Sequence, residues 1–145
     1  MTLSADVMFV QRLPFLVTLS RRIRYVTVQF VPQKTAGELA NAQKLVIGLY
    51  RRTGFICQTA LMDGEFEKVK MKLINLIEVN ITSKNEHVPE IVHKIRYVKE
   101  RTRCIKAELP YAIMPNQIIK RMVLHSVMFM NAYVDKQGIY SQKYG

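Results

Sequence analysis

Apolar residues along this chain fall into short runs broken by charged or turn-forming positions, with longer stretches of helical spacing between and after them. Ala5 to Val10 is apolar except for Asp6, the composition of a central strand that carries one anomalous acid. Pro14 begins a second strand over Phe15 to Ser20. Beyond the basic pair Arg21 and Arg22, Ile23 to Val31 alternates, with Ile23, Tyr25, Thr27 and Gln29 set against Arg24, Val26, Val28 and Phe30. Three strands with short connections predict an antiparallel meander. Thr35 then caps a helix to about Arg52, with Ala36, Leu39, Ala40, Leu45, Val46, Leu49 and Tyr50 as its apolar stripe and Gly54 as the terminating residue.

Phe55 to Met62 predicts a fourth, buried strand, in which Cys57, Thr59 and Leu61 alternate with Gln58, Ala60 and Met62. It stops at Asp63-Gly64, an acid and a glycine that hand over to a turn. A helix over Glu65 to Leu76 follows. A fifth strand spans Ile77 to Ile81, with Ile77, Val79 and Ile81 on one side and Glu78 and Asn80 on the other. Thr82 to His87 is polar and predicts a loop, and Pro89 opens a long helix to about Leu109. Its core stripe is Ile91, Ile95, Val98, Thr102, Ile105 and Leu109. Beside it, at i, i+4, i+7 and i+11, run Val92, Arg96, Lys99 and Arg103, so one flank is a ladder of cations. Pro110 and Pro115 bracket a turn before an apolar last helix.

This order is a mixed α/β layout: three antiparallel strands, then two parallel ones, flanked by helices. The helix between the third and fourth strands makes a crossover, which lets the first and fourth strands lie side by side and parallel. A chain of 145 residues with 49% hydrophobic content builds about one core. We read a single domain over 1–145, structured from about residue 3 to 134, with 135–145 as a tail. There are no internal repeats, low-complexity tracts or linkers.

Charge changes the picture more than composition does. Twenty-two basic residues against eleven acids give a formal net charge of +11, a field that attracts polyanions, nucleic acid first and an anionic membrane surface second. The apolar run from Ile118 to Val134 is broken by Lys120, Arg121, His125 and Asn131. It falls short of the roughly twenty apolar residues of a spanning helix, so no membrane partner is expected and the helix reads as a core or interface element. No secretory leader is visible. Cys57 and Cys104 stand apart within apolar patterns, which suits reduced thiols and packing in an intracellular protein. Without a CxxC or a His pair at ligand spacing, no structural zinc is expected.

Candidate chemistry rests on two acids. A carboxylate at the end of a buried strand is costly unless a cation, a partner charge or several donors meet it. The plain reading of Asp63 is an N-cap for the helix that follows. Parallel pairing of the first and fourth strands would nevertheless bring Asp6 and Asp63 together. Two close carboxylates repel unless a divalent cation joins them, and hard oxygen ligands select magnesium or manganese. Such metals activate a hydroxyl nucleophile and stabilise the leaving oxygen in phosphodiester transfer.

Several blocks resemble a known family. Asp-Val-Met-Phe-Val at 6–10, Leu-Met-Asp-Gly-Glu-Phe-Glu at 61–67, Glu-His-Val-Pro-Glu at 86–90 and Ile-Arg-Tyr-Val-Lys-Glu-Arg-Thr-Arg at 95–103 resemble the integrase catalytic core of copia-type retrotransposons, in that order. Met-Asn-Ala-Tyr-Val at 130–134 and Gly138-Ile139 are similar to its closing block. The resemblance implies a ribonuclease H-like fold, DNA as partner, and a triad of two aspartates and a glutamate that binds Mg2+ or Mn2+. Asp6 and Asp63 match the aspartates. The glutamate stands eight residues before the position of Glu100, and there this chain has Val92.

Glu90 is the candidate for the missing acid, although two helical steps turn its side chain by about 200°, so the first turn would have to unwind. Otherwise Glu90 is a first-turn acid favoured by the helix dipole. The resemblance also implies phosphate contacts from Lys94, Arg96, Lys99, Arg101 and Arg103; such a ladder is equally the pattern of a solvated face. An integrase core for metal-dependent DNA end processing and strand transfer, catalytically impaired because of Val92, is the expectation, and a non-catalytic basic nucleic-acid-binding remnant is the alternative. The family further implies a nuclear setting, flanking domains within a polyprotein, and assembly into a homodimer. Glu86 is a weaker candidate acid, and Glu65 could reach a metal through water. His87, His93 and His125 read as surface or packing residues, and Met62, Met71, Met114, Met122, Met128 and Met130 as core filler.

Overall fold

Five strands form one mixed sheet in the order β3-β2-β1-β4-β5 in a computed structural model that describes residues 1–81 and 89–132. The strands are β1 (Thr2–Val10), β2 (Leu13–Ser20), β3 (Val26–Phe30), β4 (Thr59–Met62) and β5 (Glu78–Ile81). The helices are α1 (Ala36–Arg52), α2 (Glu67–Leu73), α3 (Pro89–Glu108) and α4 (Asn116–Asn131), and a 3-10 turn, Gly64–Phe66, precedes α2. The expected order and the parallel β1–β4 and β4–β5 pairs are both observed. The polar stretch 82–88 and the tail lie outside the described residues. Among the described residues no helix is long and apolar enough to cross a membrane.

The period of two along β1 divides the molecule into two cores. Leu3, Ala5 and Val7 face α1 and α2, where they meet Ala60, Met62, Val79, Leu39 and Val46. Met8 and Val10 face the other way, onto a core of Phe15, Val17, Leu19 and Val26 with Ile91, Ile95 and Val98 of α3 and Val123 and Val127 of α4. Both sheet faces are therefore covered, as parallel pairing demands.

β4 starts at Thr59 and not Phe55, and the helix expected over Glu65 to Leu76 is a 3-10 turn followed by Glu67–Leu73; the departures in β3 and α1 have local physical causes. β3 starts at Val26 instead of Ile23 because the chain reverses first: Arg24 adopts a left-handed φ of 59°, and Ser20 and Tyr25 close the turn through a 3.0 Å hydrogen bond. The β1–β2 hairpin also turns through two left-handed residues, Gln11 and Arg12, the geometry that matches the twist of the flanking strands. In α1, Thr35 caps as predicted, accepting the Glu38 N–H, but the buried face centres on Leu39, Gln43, Val46 and Tyr50. Leu45 and Leu49 lie on the outer flank, 59% and 40% exposed. Methionine and cysteine follow the same lesson: Met71, Met128 and Cys104 are exposed, whereas Met62, Met114, Met122 and Cys57 are buried.

The α3/α4 layer is tied to the sheet by polar contacts as well as packing. Thr102 and Ser126 pair their hydroxyls at 3.1 Å between the helices. At the end of α4, the Asn131 amide accepts the Val26 N–H at 3.0 Å and donates to the Val26 carbonyl at 2.7 Å, occupying the edge of β3 as a neighbouring strand would. Asn131→Ala removes both bonds and is expected to lower stability by about 1–3 kcal/mol. A urea titration reads this as a lower midpoint with an unchanged slope.

Candidate functional site

The β1–β4 ladder runs from Thr2 opposite Thr59 to Ser4 opposite Leu61 and then ends. The same offset places Asp6 level with Asp63 where the two strands part. Period two also sets their side: Asp6 lies between Ser4 and Met8, and Asp63 follows Leu61 in an extended conformation, so both belong to the face covered by α3. The chain leaves β1 toward β2 and β3 on one side and returns through α1 to β4 on the other. The carboxyl ends of β1 and β4 therefore flank the crevice in which open α/β sheets hold ligands.

Local hydrogen bonds orient the pair. Asp6, half-buried, accepts the Val7 N–H at 2.8 Å. Asp63, only 6% exposed, accepts the Glu65 N–H at 3.0 Å and caps the 3-10 turn. Capping and a place on the same face as Asp6 thus coexist in one residue. Glu65 reaches away to Lys34, at 2.8 Å.

Glu90 does not join them. Its Oε1 accepts the Ser4 hydroxyl at 2.6 Å and the Arg21 Nε–H, and its Oε2 faces Arg24 Nη1 at 3.3 Å. Ser4 precedes Asp6 by two residues, about 7 Å back along the strand, so Glu90 is drawn toward the β2–β3 turn and not toward the two aspartates. Among the described residues no three His, Cys, Asp or Glu side chains gather in a way that could hold a metal ion. Val92, at the position the resemblance assigns to the third acid, is 42% exposed and offers only an isopropyl group. Glu86 and His87 fall outside the described residues; His93 packs edge-on against Tyr97, and His125, expected to be packed or paired in the last helix, is exposed because it lies on the outer side of α4, away from Ser126 and Val127.

The expected cation ladder divides by partner. Arg96 pairs with Glu100 at 3.2 Å, and the Arg101 guanidinium lies 3.7 Å over the Phe129 ring. Lys94 is half-buried. Lys99 and Arg103 line a cavity together with Lys106, a residue that sequence reasoning passed over although it is the next step of the same helical flank.

No family model matches the sequence, and no curated protein matches it. Among solved structures, the chain is similar to the crystal structure of the catalytic core domain of BIV integrase, with 13% identity, a TM-score of 0.65, and coverage of 92% of this chain and 85% of that one. At this identity the likeness establishes the fold: the mixed five-stranded sheet and its helices match the ribonuclease H-like fold of an integrase core.

Burial pushes the Glu90 carboxyl upward, but the Ser4 and Arg21 hydrogen bonds and the charges of Arg21 and Arg24 outweigh it and hold it below its ordinary 4.5. A carboxyl lowered on folding contributes stability that is full above its unfolded value and is lost as pH falls through the folded one. Glu90→Gln is therefore expected to destabilise the chain at pH 7 and to converge with the native protein in strong acid. Urea midpoints across pH check this; a constant gap at every pH would exclude the charge as its source.

Proposed function

We propose that the chain is the catalytic core of a copia-type retrotransposon integrase, built for metal-dependent trimming of DNA ends and transfer of a 3′ hydroxyl onto target DNA, and catalytically impaired because Val92 stands at the third acid position. The observation that carries this reading is that Asp6, within β1, and Asp63, just past β4, belong to one face of the sheet where the β1–β4 ladder ends. The block resemblance and the integrase-core fold support it.

Asp6 and Asp63 are the metal ligands in this reading, with Glu90 the acid available to them only after α3 loses its first turn. Two carboxylates fit a magnesium or manganese ion, which keeps several waters and uses one or two protein carboxylates. They do not supply the third acid of a two-metal set, because Val92 cannot ligate. When bound, the cation supplies Lewis-acid stabilisation of the charge developing on the phosphodiester. Asp63 is held for that task by the turn it caps, and Asp6 by its own backbone neighbour. Lys99 and Arg103, with Lys94, Arg96 and Arg101 where their present partners yield, would hold DNA phosphates.

A second reading, a non-catalytic nucleic-acid-binding remnant, is favoured by the diversion of Glu90 to Arg21 and Arg24. It shares the DNA partner and dispenses with the metal. In either case the element's own ends, target DNA, the remainder of a polyprotein and a second copy of the chain are the partners proposed, in a nuclear setting. The exposed Leu124 and Met128 of α4 suit a face between copies.

A strand-transfer and cleavage assay in Mg2+ and Mn2+ tests the reading. Val92→Glu is expected to raise activity by more than the roughly 10–100-fold that a lost outer-shell partner costs, and Asp63→Asn to abolish it. High activity in the native chain would overturn the impairment, and silence in Val92→Glu with salt-sensitive DNA binding retained would favour the remnant.

A further inference from the structure

The turn that joins β2 to β3 carries Arg21, Arg22 and Arg24. Arg21 and Arg22 are exposed, and Arg24 is half-buried. Two of these arginines converge on one carboxylate: Arg21 Nε–H and Arg24 Nη1 reach different oxygens of Glu90, and the buried Ser4 hydroxyl donates to the first of them at 2.6 Å. Glu90 stands in the first turn of α3, so this corner also meets the positive end of a 20-residue helix. Donors from β1, from the β2–β3 turn and from a helix N-terminus thus close around a single two-oxygen anion.

A carboxylate and a phosphodiester each present two equivalent oxygens that share one negative charge, and the guanidinium fork takes either. The corner is open from outside, with the Arg21 side chain 47% and the Glu90 side chain 20% exposed. An ion pair with a solvent-exposed member is held weakly enough for a charged competitor to exchange with it. A lone anion gains no more there than the tethered Glu90 already provides. A chain of phosphates gains more, because its next group meets Arg22 beside the corner and the field of a surface with net charge +11.

We propose that Arg21 and Arg24 are a site for a phosphate of the DNA backbone, which Glu90 occupies in the free chain and from which DNA displaces it. This rests on the proposed function and deepens it. Ser4 and Asp6 share a face of β1, about 7 Å apart, so a displaced Glu90 comes free beside the carboxylates that lack a third acid. With the first turn of α3 loosened by the exchange, Glu90 completes the metal set, and DNA and the divalent cation each strengthen the binding of the other. The corner is then an inhibitory contact that the substrate itself releases.

The test is binding of a short labelled duplex to the whole chain without divalent cations, read by fluorescence anisotropy. Glu90→Gln is expected to tighten binding about ten-fold, the factor for a site open in roughly one molecule in ten. The gain should be lost in an Arg21→Gln background, where a mere loss of negative charge would leave it intact. No gain, or an equal gain in both backgrounds, overturns the assignment. Should Glu90→Gln fail to fold, Arg21→Gln alone decides: it must weaken the duplex more than Lys72→Gln, a charge-matched change on α2, and equal losses overturn the site. Inorganic phosphate that competes as well as unlabelled duplex at equal phosphate concentration overturns it in favour of a free phosphate. A Glu90→Gln gain on phosphatidylserine vesicles and not on duplex overturns it in favour of a membrane. Mn2+ titrations followed by electron paramagnetic resonance read the coupling: duplex is expected to raise the Mn2+ affinity of the native chain and not of Glu90→Gln, and an equal rise in both overturns the release of Glu90. A Glu90-dependent duplex affinity with Val92→Glu silent in strand transfer keeps the phosphate site and discards the catalytic reading. Restored strand transfer in Val92→Glu without that dependence does the reverse.

Discussion

Everything in this molecule hangs on a short parallel ladder between β1 and β4, from Thr2 opposite Thr59 to Ser4 opposite Leu61. Parallel strands cannot be joined by a tight turn, so α1 must cross the sheet, and both faces must be covered to bury the ladder. Leu3, Ala5, Ala60 and Met62 meet that demand on one face, all of them at most 1% exposed. A slip of one residue in β4 would send Asp63 to the opposite face and Met62 into the crevice. The burial of Met62 is thus what holds Asp63 on the same face as Asp6.

Electrostatics then distributes a scarce supply of acids. With half as many carboxylates as cations, each committed acid leaves a basic neighbour elsewhere without one. Glu65 goes to Lys34, Glu100 to Arg96, and Glu90 to the corner formed by Arg21 and Arg24. The Glu90 contact anchors the first turn of α3 to β1 through Ser4 and sets how that helix lies over the sheet. A carboxylate neutralising that corner is not at hand for Asp6 and Asp63. Further along the same helix Lys99, Arg103 and Lys106 form no ion pair among the described residues.

Much of the fold was legible before any coordinates. The strand and helix order, the Thr35 cap, the crossover and the parallel β1–β4 pair all follow from periodicities of two and 3.6 and from turn residues. Asp6 and Asp63 announced themselves as acids in apolar runs. Less legible was which flank of α1 is buried: Gln43 is fully enclosed while Leu45 and Leu49 face outward, the reverse of what their polarity suggests. The early start assigned to β3 failed because a left-handed Arg24 carries no marker in the chain.

Local pattern determines which residues share a face of an element, and for this chain it sufficed to order the sheet, to give the surface its sign and to bring two carboxylates level. It does not determine where an element sits against its neighbours. Whether Glu90 meets Asp6 or Arg21, and whether Lys106 faces solvent or lines a cavity with Ile119 and Met122 of α4, depends on contacts between residues far apart in the chain. Such contacts are settled by the competition of all charges and apolar surfaces for partners when the chain closes, and only the folded structure records its outcome.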